Sequence, residues 1–275
     1  ASRLFGVNMN ISPSRAETYY RCPFSYYCRY GLKLKENKSA TFDPLQKGTV
    51  IHFVLERLLR EFTAQELCEL DDGERYEKIG EYLNAYLERY LDRSQRSKRF
   101  LYLYERLARS IDAVAARLAD EFRNSDFYPV DLELDISHDG AVKPYKLKMP
   151  SGGYINISGK VDRVDFATVD GEAYIRVIDY KSSGKIFAVS DVINGLNMQM
   201  LIYLFTLVNN GKALYGDAAP AGVLYMPAKA SAFTAERGKD LSKQGGPKDK
   251  KMQGFVLKNA GVIVAMEHDG NGVYI

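Results

Sequence analysis

Two carboxylates and a lysine stand at the adjoining ends of two predicted strands. The run from Ala173 to Ile178 is apolar and strand-like, and it ends in Asp179, Tyr180 and Lys181. Because side chains alternate between the faces of a strand, Asp179 and Lys181 share a face with Ile175 and Val177. Unpaired charges on a half-buried face cost several kcal/mol, to order of magnitude. These residues therefore either satisfy each other at a solvated strand end or serve a bound ion or substrate.

The turn between these strands predicts which residues face each other. Asp170-Gly171 is a strong signal for a two-residue hairpin turn, which would pair residues whose numbers sum to 341. Asp179 then faces Asp162, with β-carbons about 4.5–5.5 Å apart. Such carboxylates repel unless a cation lies between them, and hard cations such as Mg²⁺ take oxygen ligands of this kind. We predict the two carboxylates roughly 4–6 Å apart, with Lys181 nearby.

A change of apolar alternation complicates this register. Apolar residues occupy odd positions before Asp162 and even positions after Arg163. Such a change is typical of a β-bulge, which would shift the pairing by one residue. The alternative to a functional site is a surface ion pair, either Lys181 with Asp179 or Arg163 with Asp165.

Composition places the chain among ordinary globular proteins. It has 275 residues, 46% of them hydrophobic and 27% charged, and a net charge of +3. This mild basicity permits a nucleic-acid partner without requiring one. Three cysteines are too few for a disulfide framework, and no apolar run reaches membrane-spanning length. These features favour a cytoplasmic protein, and we expect the chain to be part of a longer subunit.

The pattern along the chain predicts a single α/β domain in four portions. Residues 1–128 are mainly helical, and residues 129–228 form the central mixed β-sheet with flanking helices. Residues 229–253 form a mobile basic loop with seven Lys or Arg against three acids between Lys229 and Lys251. Residues 254–275 form C-terminal strands. Tyr82, Tyr86 and Tyr90 follow one helix face, where packing is the favoured role and base stacking the alternative.

Several segments in order resemble a known nuclease family. They are CPFSYYCRYGLKLKE, FDPLQKGTVIHFVLE, GKVDRVD, VIDYKSS and LNMQMLIYLF. Together they resemble the RecB-type branch of the PD-(D/E)XK nuclease superfamily, and within it the C-terminal nuclease domains of AddB-type subunits of bacterial helicase–nucleases. The likeness covers about Ser12 to Leu257. It implies the restriction-endonuclease-like core, a mixed sheet flanked by helices.

The resemblance also assigns roles at the predicted strand ends. Asp162 corresponds to the first metal-binding acid and Asp179 to the acid of the (D/E)XK element. Lys181 is the lysine of that element, which would position the attacking water and stabilise the transition state. The backbone carbonyl of Tyr180 is a further candidate metal ligand.

Four more positions follow from the same resemblance. His52, four residues after Gly48, corresponds to the family's metal-ligating histidine, although a lone histidine in such an apolar setting is more often structural. Glu133 corresponds to an additional acid that precedes the hairpin. Gln199 and Tyr203 lie four residues apart on one helix face and correspond to a pair that borders the site.

The implied activity is Mg²⁺-dependent hydrolysis of DNA phosphodiesters, with Mn²⁺ as a substitute, in double-strand-break processing. The implied partners are DNA and an AddA-like helicase–nuclease subunit. The chain contains no phosphate-binding GxxxxGK[ST] loop, so ATP would be hydrolysed elsewhere in such a complex. The alternatives are a non-catalytic DNA-binding or subunit-docking module that keeps the nuclease fold, and a stand-alone Cas4-like nuclease.

The cysteines depart from the family pattern. The resemblance implies an iron–sulfur cluster with one cysteine before the nuclease motifs and three after them. Cys22 matches the first position, but no cysteine follows Cys68. Since such a cluster needs four thiolates, we expect this chain to lack it and Cys22 to be a free thiol near the surface.

Overall fold

The structure is a computed structural model that describes residues 2–35, 47–90, 98–150, 152–181, 188–228 and 251–275. The helices are α1 Ser2–Phe5, α2 Pro13–Arg21, α3 Pro23–Tyr26, α4 Lys47–Glu61, α5 Ala64–Glu69, α6 Asp72–Tyr90, α7 Lys98–Arg123, α8 Val189–Ile193, α9 Gln199–Asn210, α10 Lys212–Tyr215 and α11 Ala260–Met266, and a π-helix, Tyr27–Gly31, follows α3. The strands are β1 Met9–Ile11, β2 Tyr128–Ile136, β3 Tyr145–Lys148, β4 Tyr154–Ile157, β5 Gly159–Val169, β6 Glu172–Lys181, β7 Ala219–Pro227 and β8 Gln253–Val256.

A five-stranded mixed sheet forms the centre of the fold. Its order is β2-β5-β6-β7-β8, with β6 and β7 parallel and the other neighbours antiparallel. The parallel step is made through α8, α9 and α10, which supply the crossover that parallel neighbours require. The predicted α/β class with a central mixed sheet and flanking helices is confirmed.

Helices cover both faces of this sheet. On one face α4, α6 and α7 bury an aliphatic cluster together with Ile178 and Tyr180 of β6. On the other face α9 packs over Val164, Ile175 and Val177. A strand covered on both faces has few solvent-facing positions, so β6 is buried from Tyr174 to Tyr180.

Helix α4 is held by one apolar stripe. Val50, Ile51, Val54, Leu55 and Leu58 recur at helical spacing and are all at most 3% exposed. This burial against α6 and α7 fixes the rotation of α4 about its axis. His52, which lies outside this apolar stripe, reaches the end of β6 and contacts the Tyr180 carbonyl.

A second sheet was not predicted from the sequence. Its order is β1-β4-β3, and β1 runs parallel to β4. Strands β4 and β5 are separated only by Ser158, yet they belong to different sheets. Strands of three or four residues give too short an alternation to be recognised.

The predicted C-terminal strand pair is wrong in part. Residues 253–256 form β8, but Ala260–Met266 is a helix, α11. The β-branched run Val262-Ile263-Val264 favoured a strand, whereas the Asn259 side chain accepts the N–H of Val262 and caps a helix. Of the predicted basic loop, residues 229–250 lie outside the described residues, and Gln253 already belongs to β8.

Two smaller points concern the helices. Tyr82 and Tyr86 are 7% and 8% exposed within the helical core, as the packing interpretation predicts, while the side chain of Tyr90 lies outside the described part. No helix in the described ranges combines the length and apolar character needed to cross a membrane.

Candidate active site

In β2 and β5, the alternation of side chains between the two faces of the sheet is interrupted at the same place. Asp131 pairs with Val164 and Leu134 with Val161, so Glu133 and Asp162 lie opposite each other without forming a ladder pair themselves. Glu133 has φ +51°, a left-handed conformation that costs a non-glycine residue about 1–3 kcal/mol. Strained backbone of this kind is concentrated at functional sites.

The packing on either side of this pair shows the change of face. Leu132 packs against the helical cluster of α4, α6 and α7, whereas Leu134, two residues on, packs under α9. In β5, Val161 lies under α9, whereas Arg163 contacts Glu121 of α7. Both strands are kinked at the same place, which explains the change of alternation seen in the sequence.

The predicted register between β5 and β6 holds from the hairpin turn up to the kink. Arg163 pairs with Ile178 and Val169 with Glu172, so the pairing sum of 341 holds along β5 and β6. The β2–β5 register does not shift at Asp162, because the irregularity of that ladder lies between Pro129 and Asp131. The β5–β6 ladder ends at Arg163, so a shift between Asp162 and β6 stays a prediction. Asp162 and Asp179 follow one step beyond the last paired residues.

Helix α4 directs His52 at the kink. Its Nδ1 atom lies 3.4 Å from Asp162 Oδ2 and 3.9 Å from Glu133 Oε1. Ligand atoms of His52, Glu133 and Asp162 all lie within 4.8 Å of one another. One imidazole and two carboxylates form a donor set that suits a divalent cation.

The electrostatics of this group favour a positive charge. Burial lowers the pKa of His52, but the hydrogen bond and charge of Asp162 outweigh it and raise the pKa to about 9. Lys160 Nζ lies 2.7 Å from the second oxygen of Glu133, Oε2. The carboxylates thus attract positive charge, and a metal cation bound at the imidazole nitrogen would take the place of the His52 proton, so the residues present fit a metal cation.

Asp179 and Lys181 form a separate pair beside the metal-type group. Lys181 Nζ lies 2.5 Å from Asp179 Oδ2, with Asp179 4% exposed. Burial and then the charge of Asp162 raise the pKa of Asp179 to about 6. The ammonium also lies 5.4 Å from the ring centre of Tyr225 on β7. Asp179 is not among the three clustered ligand atoms, and its role as a metal ligand stays a prediction.

The backbone of Tyr180 joins the two groups. Its carbonyl oxygen lies 2.9 Å from His52 Nε2, and its N–H donates to Asp162 Oδ2 at 2.9 Å. The predicted ligand role of this carbonyl is untested, but the carbonyl does face the histidine. The backbone of Tyr180 therefore contacts both His52 and Asp162.

Helix α9 closes the other side of the site. Tyr203 is 5% exposed, and its hydroxyl hydrogen-bonds to the Gln199 side chain and the Lys160 backbone. Burial raises the pKa of Tyr203 to about 12. A Cβ atom at Gly159 would lie 2.2 Å from that hydroxyl, so the first residue of β5 must be glycine for this packing.

Cys22 lies at the start of α3 and does not belong to the group of His52, Glu133 and Asp162. Its sulfur accepts the N–H of Ser25 at 3.4 Å, and the side chain is partly exposed. A cysteine here caps a short helix. The expected absence of an iron–sulfur cluster stays a prediction.

Two features of the site were not predicted from the sequence. Lys160 has no motif that marks it in the sequence, and only its ion pair with Glu133 places it at the site. Arg163 and Asp165 do form an ion pair, as the alternative interpretation had it, but both are 0% exposed rather than on the surface. Charged residues on alternate positions of a strand give no signal that α7 carries a buried acid, Glu121, opposite them.

Three curated relatives of this chain share one name. The B-type subunit of the ATP-dependent helicase/deoxyribonuclease of Caldanaerobacter subterraneus subsp. tengcongensis is 32% identical over 96% of this chain. The proteins of the same name from Clostridium acetobutylicum and a Thermoanaerobacter species are 31% and 33% identical over 99% and 98% of it. The chain spans only 23% to 24% of the length of these relatives.

A family model covers the same region. The model of the PD-(D/E)XK nuclease superfamily matches residues 10–261. This range includes the kinked strand pair, the histidine helix, the Asp179–Lys181 pair and α9. The chain belongs to the PD-(D/E)XK nuclease superfamily.

Proposed function

We propose that this chain is a Mg²⁺-dependent DNA exonuclease module of an AddB-like helicase–nuclease subunit that works in double-strand-break processing. The observation that carries the proposal is the grouping of His52, Glu133 and Asp162 within 4.8 Å beside the Asp179–Lys181 pair. The superfamily match and the names of the relatives support the reaction class and the kind of complex.

The metal would be held by His52, Glu133 and Asp162, with Asp179 and the Tyr180 carbonyl as further ligands. When bound, a divalent cation supplies Lewis-acid activation of the scissile phosphate and of the attacking water. Mg²⁺ suits the carboxylates, and Mn²⁺ also accepts the imidazole, so both are expected to support cleavage.

The chain's own residues supply the remaining requirements. The Lys181 ammonium, held by Asp179, would orient the attacking water and stabilise the negative charge that develops on the phosphate oxygens. The Tyr203 hydroxyl and the Gln199 amide would border the strand on the α9 side. Lys160, whose side chain is 57% exposed, can turn from Glu133 to a DNA phosphate.

The proposed partners are DNA and an AddA-like subunit, and the proposed compartment is the cytoplasm. Iron–sulfur ligation is not part of this proposal, since the chain offers Cys22 without three later cysteines. The alternative, a docking module that keeps the fold, predicts that the chain binds DNA or its partner without hydrolysis.

Cleavage of end-labelled DNA separates these functions. Purified chain is incubated with single- and double-stranded DNA, with EDTA, Mg²⁺ or Mn²⁺. We expect progressive shortening only with metal, and loss of shortening in Asp179→Ala. DNA binding with no cleavage under any metal condition, alone and with an AddA-like subunit, would support the docking module instead.

A further inference from the structure

Two side-chain hydrogen bonds connect β5 and β6 where their ladder ends. The last paired residues are Arg163 and Ile178. There, Arg163 Nη1 donates to the Tyr180 hydroxyl at 3.3 Å, and the Tyr180 N–H donates to the Asp162 carboxylate at 2.9 Å. Arg163 directly follows Asp162 and Tyr180 directly follows Asp179, so two of the acids of the site are each followed by a residue that takes part in this tie of two hydrogen bonds.

Arg163 is itself held by ion pairs on the face of the sheet that α7 covers. Its Nε and Nη2 atoms bind both oxygens of Asp165 at 2.7 and 2.8 Å, and Nη2 also binds Glu121 of α7 at 2.9 Å. Arg176 binds the same two acids at 2.8 and 2.5 Å. All four side chains are at most 1% exposed, so the guanidinium of Arg163 is a fixed point.

A buried ion network of this kind is weak evidence for stability. Removing charges from water is costly, and well-packed apolar replacements are often equally stable. What the planar guanidinium provides is direction, because its donors have fixed geometry. One donor of Arg163 is directed at Tyr180, the residue whose backbone contacts both His52 and Asp162.

We infer that Arg163 and the Tyr180 hydroxyl are positioning residues for the candidate metal site, an inference that rests on the proposed function. Arg163 holds the Tyr180 ring, and the ring holds the backbone carbonyl and N–H that fix the His52 and Asp162 side chains. Supporting partners of metal ligands typically change metal affinity about 10–100-fold when they are removed. Here the supporting groups are the Tyr180 ring and Arg163, which lie on the opposite face of the sheet from Asp179.

The test compares two tyrosine substitutions on the same strand. Tyr180→Phe removes only the hydroxyl that Arg163 contacts. The matched control, Tyr174→Phe, removes a hydroxyl that donates to Glu172 at 2.9 Å at the other end of β6. Mn²⁺ alone is titrated into each DNA-free protein and followed by electron paramagnetic resonance, and thermal unfolding is measured without metal.

We expect the Mn²⁺ dissociation constant of Tyr180→Phe to rise about tenfold, with that of Tyr174→Phe unchanged. A tenfold rise in the Mn²⁺ dissociation constant indicates a positioning role. A merely structural role would lower the unfolding temperature and leave the Mn²⁺ affinity unchanged. Equal Mn²⁺ affinities of wild type and Tyr180→Phe would overturn this inference alone. A wild-type protein that binds no Mn²⁺ would overturn the proposed function as well.

A second measurement needs no variant, in case Tyr180→Phe does not fold. Hydrogen exchange of the Tyr180 amide in metal-free wild type reports on its bond to Asp162. Protection close to that of the Ile178 amide supports the tie, since Tyr180 lies beyond the last pair of β5 and β6. Exchange at the rate of an unprotected amide overturns it.

Discussion

Glu133 and Asp162 face each other from neighbouring strands at the one place where both strands change faces. Because the ladder registers on either side agree, the kink leaves the sheet intact while turning two carboxylates towards His52 of α4. The left-handed backbone of Glu133 is the conformational cost of this arrangement. Whether that cost serves metal binding can be measured.

Substituting glycine at Glu133 should separate stability from function. In a strand, glycine usually costs about 0.5–1 kcal/mol, but here it also removes about 1–3 kcal/mol of backbone strain. We expect Glu133→Gly to be as stable as wild type or about 1 kcal/mol more stable, with Mn²⁺ affinity at least tenfold weaker. Urea unfolding and metal titration measure the two quantities.

The control for this prediction is Asp170→Gly. Asp170 has φ +52° in the hairpin turn, so glycine relieves the same backbone conformation far from the site. Its stability should change like that of Glu133→Gly while metal affinity stays at the wild-type value. A Glu133→Gly protein that binds Mn²⁺ normally would remove Glu133 from the site.

Lys181→Ala should affect the rate of cleavage much more than folding. The ammonium is 27% exposed and acts on charge that develops in the transition state, so its loss should reduce the single-turnover rate about 10²–10³-fold. Lys212→Ala, which breaks an exposed ion pair with Asp217, is the control and should cleave normally. An unchanged rate for Lys181→Ala at saturating Mg²⁺ would refute its role.

Gly159→Ala should damage the α9 side of the site. The added Cβ would lie 2.2 Å from the Tyr203 hydroxyl, so the buried ring must move. We expect a loss of about 1–3 kcal/mol in unfolding free energy and slower cleavage. Gly80→Ala, where a Cβ meets nothing within 4 Å inside α6, should instead stabilise the protein by about 0.5–1 kcal/mol. Wild-type stability of Gly159→Ala would show that Tyr203 is not confined there.

The buried network should make stability depend on acid. Burial raises the pKa of Asp165, but the charges of Arg163 and Arg176 outweigh it and hold the pKa below its usual value. A lowered folded pKa contributes stability that is present above the unfolded value of about 3.9 and is lost as the pH falls through the folded value. The other titratable groups of the network are Arg163, Arg176, Arg117, Glu121 and Tyr180.

Asp165→Asn tests this dependence. Removing one buried partner leaves two guanidinium groups without it, which should lower the unfolding free energy by about 3–5 kcal/mol at neutral pH. The variant should also lose less stability than wild type as the pH falls below about 4. If the unfolding free energies of the two proteins, measured in urea, decreased equally as the pH falls below about 4, a charged Asp165 would be contradicted.

The sequence predicted the parts of this protein that have local signals. The Asp170-Gly171 turn alone predicts the register of β5 and β6, since a two-residue hairpin permits one pairing. The C-terminal helix α11 was missed because its β-branched residues resemble a strand, and the cap at Asn259 decides otherwise. The kink at Glu133 was visible only as a change of alternation, because a left-handed residue depends on its tertiary partners.

The most direct test of metal-dependent cleavage by this chain is a metal add-back experiment with Asp162→Asn. Asparagine keeps the size of the side chain while removing one charge from the group that includes His52 and Glu133. Chelated wild-type protein should cleave labelled DNA only after Mg²⁺ is restored, and Asp162→Asn should stay inactive at the same Mg²⁺ concentration. Cleavage by chelated wild type, or wild-type cleavage by Asp162→Asn, would contradict the proposed site.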